Sequence, residues 1–226
     1  MPTTFFITGT DTNAGKTYVS TRILHAFNAL GYSTIGIKPL ASGCVLRNNL
    51  YYSDDALQLQ QASSIPLDYH LINPIALPEP TAPHIAANQR GETLSVRALS
   101  EKMQAALNYS ADVRLIEGIG GWLVPLNTNE TMADFVRHHQ FPVLLVVGIR
   151  LGCINHALLT YQSLLHDRVP IAGWIANCID PTMLWMDKTI DDLKQRLPMD
   201  HLGTVTFNDT QNTFISIARL LYRSLT

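Results

Sequence analysis

The sequence predicts an α/β fold in three layers, a mainly parallel central sheet flanked by helices. Three observations carry this. Short apolar runs rich in β-formers alternate with longer segments of helical spacing. The runs are apolar almost throughout rather than at every second residue, so both faces of the sheet need cover. Strands that alternate with helices join in parallel through right-handed crossovers.

The first strand is expected over Thr4–Thr8, followed by a glycine-bearing turn and a helix over Lys16–Leu30, with Gly31 placed as its C-terminal cap. A second strand over Ser33–Pro39 stops at the proline. Ser53 suits the cap of a helix whose first turn holds Asp54 and Asp55, where acids favour the helix dipole. Leu67 to Pro83 carries Pro74, Pro78, Pro80 and Pro83, which predicts an ordered surface excursion without regular elements. Helices are then expected over Ser95–Leu107, Asn155–Leu165 and Asp209–Leu225, with strands over Val113–Glu117, Val143–Gly148, Ala172–Asn177 and, more weakly, Gly203–Phe207. No repeat, low-complexity tract or linker divides the chain, so residues 1–226 read as one domain.

Of 226 residues, 46% are hydrophobic and 15% charged, a globular composition that permits a sizeable core. Sixteen basic and eighteen acidic residues give a formal charge of -2. No long run of one sign would track a nucleic acid or an anionic membrane, so small-molecule partners are expected. Cys44, Cys153 and Cys178 are scattered and odd in number, which argues against a disulfide framework or a zinc site and for a reducing compartment. The first basic residue is Lys16, so no charged secretory leader is expected. The apolar run from Phe141 to Ile149 is broken by Pro142 and Gly148 and falls short of the ~20 residues of a membrane span. A cytoplasmic location is the expectation.

"GTDTNAGKT", from Gly9 to Thr17, follows the first strand and opens the first helix, the context that makes a P-loop physically meaningful. Free amides of the turn and of the first helical turn suit a phosphate, Lys16 would neutralise its terminal oxygens, and the Thr17 hydroxyl would meet magnesium. The predicted fold is therefore P-loop NTPase-like. Five residues rather than four separate Gly9 from Gly15, so the loop is a variant. Thr10, Asp11, Thr12 and Asn13 fill the region where partitioning-type ATPases carry a second lysine, and its absence argues against a partner-driven switch. A magnesium site needs further oxygen ligands, one or two of them carboxylates. Glu117, closing the strand in "VRLIEGIGG", and either Asp54 or Asp55 are the candidates.

Lys38 ends the second strand in "IGIKPLASG" and lies on the sheet edge that holds the loop. Its ammonium could supply charge to a phosphoryl group in transfer, or it could simply reach solvent. The neighbours His138 and His139, on a polar helix end, are expected to be solvent-exposed, since adjacent helical residues point in different directions. His156 is read as structural.

In order and spacing, "FFITGTDTNAGKT", "GIKPLASG", "SDDALQL", "NPIALPEPTAPHIAA", "LIEGIGGWLVPL", "ADFV", "PVLLVVG" and "LGCINHALLT" resemble the dethiobiotin synthetase family from residue 4 to about residue 180. The resemblance implies an ATP- and Mg2+-dependent ligase that carboxylates 7,8-diaminopelargonic acid with carbon dioxide and closes the ureido ring of dethiobiotin, the penultimate step of biotin synthesis. It implies ATP contacts from Asn13, Ala14, Gly15, Lys16, Thr17 and Tyr18, and from Gly118 and Gly120. Further contacts are implied at Asn177 and Cys178 near the adenine, and from Thr206 and Phe207 to Asn208. Metal ligands would be Thr17, Asp55 and Glu117, with Asp55 chosen over Asp54 by the serine-aspartate-alanine pattern. Lys16 and Lys38 would be catalytic, and Thr12 and Ser42 would touch the diamine. Gly152, Cys153 and Asn155 would serve substrate bound by the opposite subunit, implying a homodimer, although they could equally cap and pack their helix. The chain departs from the family at Thr206, where a proline is usual, and at Thr189, where the family can offer a tyrosine. Two rivals remain: an amidase of the cobalamin type, which would need a glutaminase domain with a catalytic cysteine, and a regulatory or partitioning ATPase.

Overall fold

The computed structural model describes residues 3–207 and 211–223. In chain order the elements are β1 (Thr3–Gly9), α1 (Lys16–Ala29), β2 (Thr34–Ile37), β3 (Leu40–Ala41), β4 (Val45–Arg47), β5 (Leu50–Tyr52), α2 (Asp54–Ala62), α3 (Tyr69–Ile72), β6 (Ile75–Ala76) and α4 (Pro83–Gln89). They continue with α5 (Val96–Asn108), β7 (Val113–Glu117), α6 (Met132–His139), β8 (Val143–Ile149), α7 (Cys153–Asp167), β9 (Ile171–Cys178), α8 (Met186–Arg196), β10 (His201–Val205) and α9 (Gln211–Arg223).

Six strands form one sheet in the order β10-β9-β8-β1-β7-β2, and every pairing in it is parallel. Alternation along β1 explains the three layers, because successive side chains point to opposite faces. Phe5 and Ile7 pack with Val19, Ile23 and Phe27 of α1 and Phe214 and Ile217 of α9. Phe6 joins the opposite cluster, with Met103 of α5, Phe135 of α6 and Ala157 of α7. The apolar strands are thus covered on both sides, as their composition requires. The chain leaves β1, crosses to β2 on one side and later fills β8 on the other, so the order switches beside β1. Crevices at such switch points, outside the carboxyl ends of the strands, receive ligands.

The structure departs from the sequence expectation in several places. Leu67 to Pro83 is not a surface excursion: it contains α3 and β6, and Ile72 and Leu77 are buried in the core. Its prolines flank rather than interrupt the two-residue β6, which pairs in parallel with β3. The β4–β5 hairpin was not foreseen; Asn48 and Asn49 turn it with φ of 49° and 64°, the left-handed pair a two-residue loop needs. β10 begins two residues earlier than expected, and α7 begins at Cys153 rather than Asn155, directly after Gly152 in the left-handed region. Asp209 and Leu225, the expected ends of the last helix, lie outside the described residues. His138 is exposed but His139 is half-buried: its ring stacks on Phe141 at 4.8 Å, and Nε2 lies 2.8 Å from Ser100 Oγ. The three cysteines are buried and none is in a disulfide, and among the described residues no helix is long and apolar enough to cross a membrane.

Candidate active site

Gly15 caps α1 at its N-terminus with φ 86°, a conformation open to glycine and strained for other residues. Space imposes the same choice, because a Cβ there would lie 2.0 Å from Asn177 Nδ2. Asn177, at the end of β9, donates Nδ2 to the Ala14 carbonyl at 2.9 Å and so braces the loop from beneath. Amides of the first turn of α1 lack intrahelical acceptors and face the ends of the strands, a ready anion site.

The loop opens on a cavity of about 810 Å³, within the range typical of small-molecule sites. Thr12, Asn13, Gly15, Lys16, Thr17, Tyr18, Lys38, Ser42, Asp55 and Gly120 all line it, so ten of the site residues read from the sequence meet at one place. The Lys16 ammonium donates to the carbonyls of Gly120 at 2.6 Å and Asp11 at 3.1 Å.

A charge cluster at this surface centres on the buried pair Lys38 and Glu117. Lys38 Nζ donates to Glu117 Oε1 at 2.6 Å and the Gly118 carbonyl at 3.0 Å, and pairs with Asp55 Oδ2 at 3.0 Å. The Thr17 hydroxyl donates to the same Glu117 Oε1 at 2.8 Å. Glu117 is fully buried, and its second oxygen, Oε2, has no hydrogen-bond partner among the described residues. Burial works to lower the pKa of Lys38, but Glu117 and Asp55 outweigh it and hold it above the ordinary lysine value. Lys16 is pushed down to about 8, first by burial and then by Lys38, against the pull of Glu117, Asp55 and Asp11. Burial would raise Asp55, yet Lys38 and Thr17 keep it below its usual range.

The two aspartates left open by the sequence separate here. Asp55 faces the cavity and Lys38, whereas Asp54 points outward, 3.6 Å from Arg47 on the hairpin. Ser53 caps α2 as expected, its hydroxyl accepting from Ala56 N.

Other expected site residues lie apart from the cavity wall. Ala14 and Gly118 are structural neighbours of it, through their carbonyls. Asn177 pairs in register with Val205, which sets Cys178 and Thr206 side by side at the ends of β9 and β10, with Phe207 following and exposed. Asn208 falls outside the described residues. Gly152, Cys153 and Asn155 open α7 at the end of β8, outside this cavity. Sequence reasoning missed the facing wall, formed by Ala41, Pro80, Thr81, Ala82, Pro83, Ile119, Val124 and Pro125. The "EPTAPH" segment marked part of it, but nothing local told which way the segment folds.

A loop between a central parallel strand and its helix, with a lysine, a threonine, the strand-end carboxylate of Glu117 and the helix-start carboxylate of Asp55 around it, defines a nucleotide-binding protein of the P-loop α/β class. Solved structures agree on the fold. MinD, the septum site-determining protein of Pyrococcus horikoshii complexed with Mg-ADP, superposes with a TM-score of 0.62 at 13% identity, covering 100% of this chain and 98% of that one. Cobyrinic acid a,c-diamide synthase from Mycobacterium smegmatis, with bound ADP and magnesium, gives 0.55 at 12% identity over 100% and 94%. The family model described as "AAA domain" matches residues 3–212. An ATP-dependent dethiobiotin synthetase of Cellvibrio japonicus is 48% identical over 201 residues, 89% of this chain and 88% of the relative. One of Pseudomonas aeruginosa is 44% identical over the same shares. The chain belongs to the dethiobiotin synthetase family of ATP-dependent ligases.

Proposed function

We propose that this chain carboxylates 7,8-diaminopelargonic acid with carbon dioxide and closes the ring to dethiobiotin, converting ATP to ADP and phosphate. The observation that carries the finer reading is Lys38, a buried second cation beside the phosphate loop, held by Glu117, Asp55 and Gly118 O at the wall of the cavity. Family membership supplies the reaction class.

One substrate amine captures carbon dioxide as a carbamate. A carbamate oxygen attacks the γ-phosphorus of ATP, giving a carbamic-phosphoric mixed anhydride and ADP. The second amine then attacks the carbamate carbon, closing the ring and releasing phosphate. No protein nucleophile is required, so the rate comes from alignment and charge stabilisation.

In this reading the backbone of Asn13, Ala14, Gly15, Lys16, Thr17 and Tyr18 cradles the phosphates, and Lys16 neutralises the terminal oxygens. Lys38 stabilises the carbamate and the phosphoryl group in transfer. Thr12 and Ser42 orient the diamine. Gly118 and Gly120 shape the phosphate side, while Asn177, Cys178, Thr206, Phe207 and Asn208 border the base. The hard oxygen donors Thr17, Asp55 and Glu117 suit Mg2+, and Oε2 of Glu117, without a partner among the described residues, fits a ligand awaiting its ion. When bound, the ion would neutralise charge on the β and γ oxygens.

Gly152, Cys153 and Asn155 serve the substrate of a second subunit, consistent with their place outside their own cavity. The working unit is then a homodimer, acting on small molecules in the cytoplasm. Phosphate release with Mg2+ and ATP, with and without diaminopelargonate and bicarbonate, tests the reading while mass spectrometry follows the organic product. Release matched one for one by dethiobiotin is the expected result. Release indifferent to the diamine would return the chain to the switch-type ATPases.

A further inference from the structure

The lengthened loop between Gly9 and Gly15 is gripped from outside the cavity. Asp11 Oδ2 accepts from the Arg150 guanidinium, and Oδ1 accepts from the Thr12 amide at 2.7 Å. Across the same residue, the Asp11 carbonyl accepts from Lys16 Nζ. Arg150 directly follows β8, and its carbonyl accepts from Cys153 N at 3.0 Å where α7 begins. Thr10 completes the attachment: its amide donates to Val146 O at 3.0 Å, and its hydroxyl accepts from Gly148 N at 3.4 Å. Neither Asp11 nor Arg150 lines the cavity.

We propose that Asp11 and Arg150 are a positioning pair that holds the extra residue of the loop against the end of β8, presetting the phosphate cradle and tying it to the start of α7. An additional residue adds two soft dihedrals to a loop that must present its amides in one arrangement. Unless something outside the cavity restrains them, ordering that residue opposes phosphate binding. Both side chains are about two-fifths exposed, 45% for Asp11 and 39% for Arg150, so screening leaves little net Coulomb stabilisation. The effect is therefore on nucleotide affinity, with global stability nearly untouched.

The inference rests on the loop being the phosphate site, and the experiment separates the two. Mg-ADP affinity is measured by calorimetry on the full chain for wild type, Lys16→Ala, Arg150→Met and Arg150→Lys, together with steady-state kinetics and melting temperature. Arg150→Met is expected to weaken Mg-ADP binding about three- to tenfold, the loss of one charge-assisted hydrogen bond seen through loop order. KM for ATP rises in parallel, kcat stays within about twofold, and the melting temperature holds. Arg150→Lys restores most of the affinity, since one donor suffices for the Asp11 contact. Wild-type affinity in Arg150→Met, with Lys16→Ala deficient, overturns the pair alone. A defect in kcat rather than KM, or one that lysine does not rescue, overturns it as well. Wild-type affinity in Lys16→Ala overturns the loop assignment and the pair with it.

Discussion

Lys38 and Glu117 form a buried ion pair, Nζ to Oε1 at 2.6 Å, joining the carboxyl ends of β2 and β7, neighbours in the sheet. The same glutamate oxygen accepts from Thr17 in the first turn of α1. One carboxylate thus links the lysine, the phosphate loop and the proposed metal position. Any change at either member is felt both as charge in the site and as stability.

Lys38→Met removes no direct contact to the phosphate loop, so Mg-ADP affinity should change far less than turnover. Ring closure should fall by about a hundredfold or more, the usual scale for losing a group that meets developing charge. The variant should also lose about 3–5 kcal/mol of stability, because Glu117 is left charged and buried without its partner. Urea melts and single-turnover assays read the two effects separately. Undiminished turnover would remove Lys38 from the chemistry.

Glu117→Gln keeps the shape of the side chain and can still accept from Thr17, but it withdraws the charge proposed to meet Mg2+. The Mg2+ concentration giving half-maximal activity should rise about tenfold or more. A metal titration indistinguishable from wild type would take Glu117 out of the metal shell.

Gly15→Ala introduces a methyl group 2.0 Å from Asn177 Nδ2 at a φ that costs an L-residue about 1–2 kcal/mol. Nucleotide binding should be lost and the melting temperature lowered. Asn177→Ala alone removes one hydrogen bond to Ala14 O, worth about 1 kcal/mol. Combined with Gly15→Ala it should relieve the clash, so the double variant is less damaged than the sum of the singles. Strict additivity would contradict the contact.

His139 carries a lowered pKa, from burial first and the neighbouring His138 second. The unfolded chain therefore binds its proton at a higher pH than the folded chain does. Its contribution to stability is whole above the unfolded value of about 6.5 and is lost as pH falls through the folded one. His139→Gln should flatten the fall in stability between neutral and mildly acidic pH, measured by denaturant melts across that window. An unchanged slope would show that the ring titrates as in the unfolded chain.

If the start of α7 serves a partner's site, inactive Lys38→Met protein mixed and re-equilibrated with inactive Asn155→Asp protein should regain activity. Random reassortment leaves one intact site in half the dimers, so recovery approaches about a quarter of wild type. No recovery with heterodimers demonstrably present would place both residues in one subunit's site.

The sequence by itself determined the layered α/β class, the six parallel strands within a residue or two, and the strand-loop-helix context of "GTDTNAGKT". These are local properties: apolar runs, helical period, glycine and capping residues act on their immediate neighbours. The order of the strands is not local, and it alone brings Lys38 to Glu117, 79 residues away, and Arg150 to Asp11, 139 residues away. It also turned Asp55 inward and Asp54 outward, drew the proline-rich segment into the core and stacked His139 on Phe141. Periodicity says which face of an element is apolar. Only sheet register and the packing of distant elements decide which side chains then meet.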